Sequence, residues 1–113
     1  MLPNAAAFPK LRRLLRRKDF AIAQRQGMAA RGRHALILVH VRGDALPARL
    51  GIVASRKIGD AVARNRAKRL IREWFRKESL PNGVDIVVIP RISAHQVAAV
   101  ALWAGLAETL RKG

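Results

Sequence analysis

Cysteine is absent from this chain of 113 residues, which excludes disulfides, thiol catalysis and cysteine-ligated zinc. Tyrosine is absent too, and aromatic residues make up only 4%, so few flat faces are on offer for stacking. Acids are scarce. Asp and Glu number 7 and are scattered with no close pair, which leaves no two-carboxylate centre for acid–base work. His34, His40 and His95 fall into no metal-ligand or general-base motif, and Ser55 has no evident activating base. No catalytic side chain is therefore expected on the protein. No apolar run nears the roughly 18 residues of a membrane span. Nor does an apolar core follow the basic opening segment, as it would in a signal peptide. The expected setting is soluble and cytoplasmic.

What is abundant is positive charge: 23 Lys and Arg give a formal net charge of +16. Such an excess destabilises a compact chain by self-repulsion, which an anionic partner offsets. Nucleic acid is the first candidate partner and an anionic membrane surface the second. Hydrophobic residues make up 50% of the chain, enough for a core, unlike a disordered basic tail. The length suits one domain spanning residues 1–113.

Residues 1–18 hold Lys10, Arg12, Arg13, Arg16, Arg17 and Lys18 with no acid, and Pro3 and Pro9 discourage helix, so an extended basic arm is expected. Asp19 to Gln26 suits a short helix, with an acid in its first turn and Gly27 as a stop. His34–Val41 (HALILVHV) and Arg49–Ser55 (RLGIVAS) read as apolar strands. The turn residues between them, Gly43, Asp44 and Pro47, suggest an antiparallel hairpin. Val84–Ile89 (VDIVVI) is a third strand. Ser93 and Gln96 match a capping box that would open a last helix over Ala94–Arg111, with Val97, Val100, Ala101 and Ala104 on one stripe. The order α-β-β-α-β-α gives an α+β class, a single-domain α/β sandwich.

The stretch Ala61–Lys77 is the most informative. Asp60 is a plausible N-cap. At helical spacing Ala63, Ala67, Leu70, Ile71 and Trp74 form one stripe, and Asn65, Lys68, Arg69, Arg72 and Arg76 form the opposite one, with Arg64 and Arg66 on either flank. Lys68, Arg72 and Arg76 repeat one sign at i+4, which destabilises a solvated helix but fits one lying against phosphates. Guanidinium groups match phosphate with a planar fork. Asn65 can read a base edge or ribose hydroxyl. Trp74, Phe75 and Trp103 read as core rather than as stacking platforms.

This segment, with the strand before it, resembles the signature of the bacterial ribonuclease P protein family. Gly51-Ile52-Val53-Ala54-Ser55-Arg56-Lys57-Ile58-Gly59 leads into Ala61-Val62-Ala63-Arg64-Asn65-Arg66-Ala67-Lys68-Arg69-Leu70-Ile71-Arg72-Glu73, with the R-N-R triplet inside a long basic helix. Phe8-Pro9, Arg13-Leu14 and Asp19-Phe20 resemble that family's amino-terminal segment, and Gly83-Val84-Asp85-Ile86-Val87-Val88 its last strand. The resemblance implies a left-handed crossover from Arg49–Ser55 through the basic helix to Val84–Ile89, against the general right-handed rule.

It also implies a protein cofactor for a catalytic RNA, bound 1:1, that removes the 5′ leader from precursor tRNA using magnesium held mainly by the RNA. No further protein partner and no membrane role follow from it. By position, RNA-subunit contacts fall on Arg56, Lys57, Arg64, Asn65, Arg66, Lys68, Arg69 and Arg72. A cleft for the leader falls on Phe20 and Arg13, with Phe8, Lys18, Arg33 and Ala54 as further candidates. The chain departs from the family at that cleft, because Gln24 and Leu38 stand where aromatics are usual. The rivals are a structural RNA-binding protein, a membrane-surface protein using the amphipathic helix, and a DNA-binding regulator, for which no helix–turn–helix pair is found.

Overall fold

A computed structural model of the chain describes residues 17–112. The elements are α1 (Arg17–Gln26), β1 (Met28–Arg31), β2 (Ala35–Val41), β3 (Arg49–Ile52), α2 (Ala61–Lys77), β4 (Val84–Pro90) and α3 (Ala99–Lys112), with 3₁₀ turns at Arg56–Ile58 and Ile92–His95. The expected order of helices and strands is present, with the short strand β1 added. β1 carries Met-Ala-Ala-Arg, which has neither β-branched residues nor alternation to announce a strand. The expected extended arm lies outside the described residues as far as residue 16; Arg17 and Lys18 are helical, opening α1.

The four strands run in the order β1-β2-β4-β3. β2 pairs antiparallel with β4, placing His40 opposite Asp85 and Leu36 opposite Ile89. β3 pairs parallel with β4. The expected β2–β3 hairpin therefore does not form, because β4 lies between them. The physical reason is that β4 is the most deeply buried strand, buried at nearly every position, and a strand of that kind belongs in the middle of a sheet. The turn residues 42–48 instead wrap the entrance to β4. Arg42 N donates to Gly83 O at 2.6 Å and Gly83 N donates to Leu46 O at 2.7 Å. Gly83 sits at φ 82° with the Asp44 carbonyl against it, where no side chain fits.

The sheet is covered by α2 and α3 on one face and in part by α1 on the other. Ile37, Leu50, Ile86 and Val88 point to α2 and α3, meeting Leu70, Ile71, Trp74, Phe75, Leu102 and Leu106. The alternate residues Leu38 and Val87 point the other way, to Ala23 and Phe20 of α1. This two-fold alternation makes each face a separate core. Phe75 and Ile71 are fully buried, each contributing about 1.5–3 kcal/mol by removal from water.

α2 begins where the sequence places it, with Asp60 Oδ1 accepting from Ala63 N at 2.9 Å. α3 does not. It starts at Ala99, and Ser93 caps no helix: its hydroxyl donates to Arg33 O (3.3 Å) and pairs with His34 Nδ1 (2.9 Å). The inward stripe of α3 is Leu102, Leu106 and Thr109, while Val100 is 72% exposed and Ala101 and Ala104 are exposed. The bulkier leucines outweigh the small residues for the inward positions. β3 ends at Ile52, although Val53 N still reaches Val88 O at 3.0 Å; beyond it Ser55 turns to accept from Lys57 N.

At the sheet end where β4 begins, buried Asp85 takes Arg49 Nε and Nη2, both at 2.8 Å, and Arg42 Nη1. Arg42 also clasps Asp44 and the carbonyls of Val84, Leu46 and Pro47. Arg49 reaches Asp19 of α1 at 3.8 Å. One ion cluster thus joins α1, the 42–48 loop, β3 and β4. The bond from Arg42 holds the Asp44 carboxyl below its ordinary value, helped by the Leu46 amide. Asp44 raises Arg42 in turn, and Asp85 raises Arg49.

Candidate nucleic-acid interface

Of the residues expected on a basic helix face, Asn65, Arg69 and Arg72 are exposed along α2, and Arg56 and Lys57 are exposed on the 3₁₀ turn before it. Lys68 is half-buried. The two arginines of the R-N-R triplet behave differently from the rest. Arg64 Nη1 donates to Gly59 O at 2.9 Å. Arg66 Nη1 and Nη2 donate to His95 O at 3.1 Å and Val97 O at 3.2 Å. Both are half-buried and bound to backbone, leaving Asn65 as the outward member of the triplet.

α1 covers the other face of the sheet only in part. Beside it opens a concavity of about 450 Å³ lined by Arg17, Phe20, Ile52, Val53, Ala54 and Lys68. A second, of about 620 Å³, lies at the far end of β2 and β4. Its floor includes Leu36, Ile58, Ile89 and Ile92, and its cations are Arg31, Arg33, Lys57 and Arg91. Among the described residues no acid lines either one. Asp19, Asp44 and Asp85 are held in the ion cluster, Asp60 caps α2, and Glu78 accepts from Trp74 Nε1 at 3.0 Å.

The structure thus brings together Phe20 and Ala54, expected for a leader cleft, with Lys68, expected for the RNA face. It places Arg33 with Lys57 in the neighbouring concavity. Lys18 is exposed on α1 and lines neither. Arg13 and Phe8 lie outside the described residues. Arg31 and Arg91 are missed by sequence reasoning, and Arg17 is expected only as part of the basic arm. The signal for Arg31 was local, since it flanks Gly32 with Arg33 as an R-G-R triplet just before a strand. Gln24 is exposed, and Leu38 is buried beneath α1, so the β2 side chain on the groove floor is Leu36.

The aromatic residues read as core are core. Trp74 and Phe75 are buried. Trp103 is half-buried, donates Nε1 to Leu70 O at 2.9 Å, and carries Lys77 Nζ 4.7 Å above its ring. Among the described residues no group of three or more His, Cys, Asp or Glu is placed to hold a metal ion, and no helix is long and apolar enough to cross a membrane.

An apolar-floored, acid-free groove beside a basic helix is the equipment of a small RNA-binding protein. The comparisons narrow this further. The family model for Ribonuclease P matches residues 8–113. The ribonuclease P protein component of Thermotoga petrophila is 39% identical over 101 residues, 87% of this chain and 86% of that one. That of Oleidesulfovibrio alaskensis is 42% identical over 82 residues, 70% of this chain and 66% of that one. Among solved structures, the RNase P protein from Thermotoga maritima superimposes with a TM-score of 0.79 at 34% identity, covering 89% of this chain and 96% of that one. The Staphylococcus aureus RNase P protein gives 0.82 at 30%, covering 89% and 94%. The chain belongs to the ribonuclease P protein family, the protein components of an endoribonuclease that acts in tRNA 5′ processing with an RNA partner.

Proposed function

We propose that this chain is a protein cofactor that docks on the catalytic RNA subunit of ribonuclease P and grips the 5′ leader of precursor tRNA. The observation that carries this reading is the pair of neighbouring concavities, one beside α1 and one at the far end of β2 and β4, with apolar floors, basic rims and no acid among the described lining residues. A single-stranded leader of any sequence presents base faces to apolar and aromatic side chains and phosphates to cations. Phe20 supplies one ring for stacking, at roughly 1–3 kcal/mol per base. Arg33 and Lys57 stand at the rim for the phosphates, with Arg17 and Lys68 beside the ring.

The RNA subunit is assigned to the outer face of α2 and the turn before it, through Arg56, Lys57, Asn65, Lys68, Arg69 and Arg72. Lys57 and Lys68 belong to both surfaces, so leader and RNA subunit would meet along one continuous basic strip. The chemistry is assigned to the RNA subunit, with magnesium supplying the hydrolytic centre there. The protein's residues neutralise phosphates, lowering the magnesium required, and favour precursor over mature tRNA by binding the leader. A leader contact of about 1.4 kcal/mol gives a tenfold preference. A 1:1 complex acting in the cytoplasm follows from the same reading. Use of α2 as a membrane anchor is disfavoured because Trp74 and Phe75 are buried against the sheet side.

The test is single-turnover cleavage of a leader-bearing precursor tRNA by a bacterial ribonuclease P RNA at low millimolar magnesium, with and without this protein. Rescue of cleavage, weakened by Arg69→Ala with Arg72→Ala, is the expected result. RNA binding without rescue across several RNA types would replace this reading with a structural RNA-binding role.

A further inference from the structure

The R-N-R triplet invites the view that both its arginines point at phosphates, but Arg66 turns inward. Its two terminal nitrogens bind the carbonyls of His95, the last residue of the 3₁₀ turn Ile92–His95, and of Val97, between that turn and α3. These carbonyls precede α3 and stand outside its hydrogen-bond ladder. The planar fork of a guanidinium offers two separate nitrogens at a fixed spacing to two such acceptors, whereas an ammonium offers a single nitrogen on a flexible stem. One side of the 92–95 turn is thereby tied to α2.

The other side of the same turn is tied to the groove. Ser93 Oγ meets Arg33 O and His34 Nδ1. Arg91 N donates to His34 O at 2.8 Å, and Arg91 Nε donates to Gly32 O at 3.1 Å. Arg33, Arg91, Ile92 and Ser93 all line the larger concavity. A continuous set of hydrogen bonds therefore runs from Arg66 on α2, through the 92–95 turn, to the basic rim of the groove.

We propose that Arg66 is a positioning residue that holds the groove wall, so that its loss weakens the grip on the leader rather than removing a phosphate contact to the RNA subunit. The inference rests on the leader-cleft reading above. It assigns Ser93 a companion role, since its hydroxyl fixes the opposite side of the same turn.

The experiment measures two quantities for each variant: the ratio of affinities of the protein–RNA holoenzyme for precursor and mature tRNA, and the salt dependence of protein binding to the RNA subunit. Arg66→Gln should lower the ratio by about three- to tenfold, the larger figure corresponding to 1.4 kcal/mol, and leave the log–log salt slope unchanged. Ser93→Ala removes no charge and little volume, and should lower the ratio in the same direction. Arg66→Lys keeps the charge without the fork and should restore little of it. A salt slope reduced by about 0.7–0.9, the share of one phosphate contact, with an intact ratio in Arg66→Gln would make Arg66 a direct RNA contact and overturn the proposal. So would an intact ratio in Ser93→Ala while Phe20→Ala lowers it. Phe20→Ala separates the two levels: if that variant keeps the full ratio, the leader-cleft reading falls and the role of Arg66 falls with it.

Discussion

The two ends of the sheet face beneath α1 use the same side chains for opposite purposes. At one end Arg42 and Arg49 close on buried Asp85, with Asp44 and Asp19 completing the charge balance. At the other, Arg31, Arg33, Lys57 and Arg91 surround an apolar floor with no carboxylate in the lining. Arginine that meets both an acid and several carbonyls fixes the chain. Arginine gathered with its own kind stores repulsion that an anion relieves. The contrast teaches that location of the scarce acids, more than the number of cations, decides which arginines are structural and which are available for a partner.

The largest effect that would sharpen this comparison is Asp85→Asn. It leaves Arg42 and Arg49 without their buried counter-charge and should cost about 3–5 kcal/mol, read as a fall in the denaturant midpoint of unfolding. Arg33→Ala at the other end should change stability by no more than about 0.5 kcal/mol while weakening precursor binding. Equal destabilisation by both would erase the distinction. Next, Phe20→Ala should cost roughly 1–3 kcal/mol in precursor binding, measured against mature tRNA as the reference. Arg69→Ala on α2 should reduce the log–log salt slope of RNA-subunit binding by about 0.7–0.9, whereas Arg42→Met should leave that slope alone.

The smallest effect is pH dependence. Asp44 has a folded-state value held below its ordinary 3.8 by Arg42, so its contribution is present above 3.8 and is lost as pH falls through the lower folded value. Acid unfolding of Asp44→Asn should therefore show a shallower loss of stability below about pH 4. Because Asp44 is exposed, the difference is small.

Local chemistry made part of this molecule readable beforehand. α2 was legible from Asp60, the apolar stripe and the run of basic residues, because a helix carries its own hydrogen bonds and its own period. The strand character of β2 and β4 was legible from their apolar β-branched runs. Strand order was not, since pairing depends on which strand needs cover on both sides. β4 displaced the hairpin that Gly43, Asp44 and Pro47 suggested. The start of α3 was misread because Ser93, a fit capping residue, is recruited by Arg33 and His34 from a distant part of the chain.

The same limit applied to the site. Phe20, Ala54 and Arg33 were named from the resemblance, but no spacing reveals that Arg31 and Arg91, 60 residues apart, share one rim. Nor does the R-N-R pattern reveal that Arg64 and Arg66 bend back to carbonyls.

The central place of β4 has a consequence for the order in which the molecule comes into being. β2 and β3 are synthesised early, yet each pairs with β4 and not with the other. A slot between them stands vacant until Pro90 leaves the ribosome, some 38 residues after Ile52, which takes roughly 2–8 s at ordinary rates of synthesis. Once Lys77 is out, the nascent chain carries a complete basic helix and two apolar strands whose edges still await β4. The last strand acts as a keystone, closing the sheet only after the rest of its members are in place.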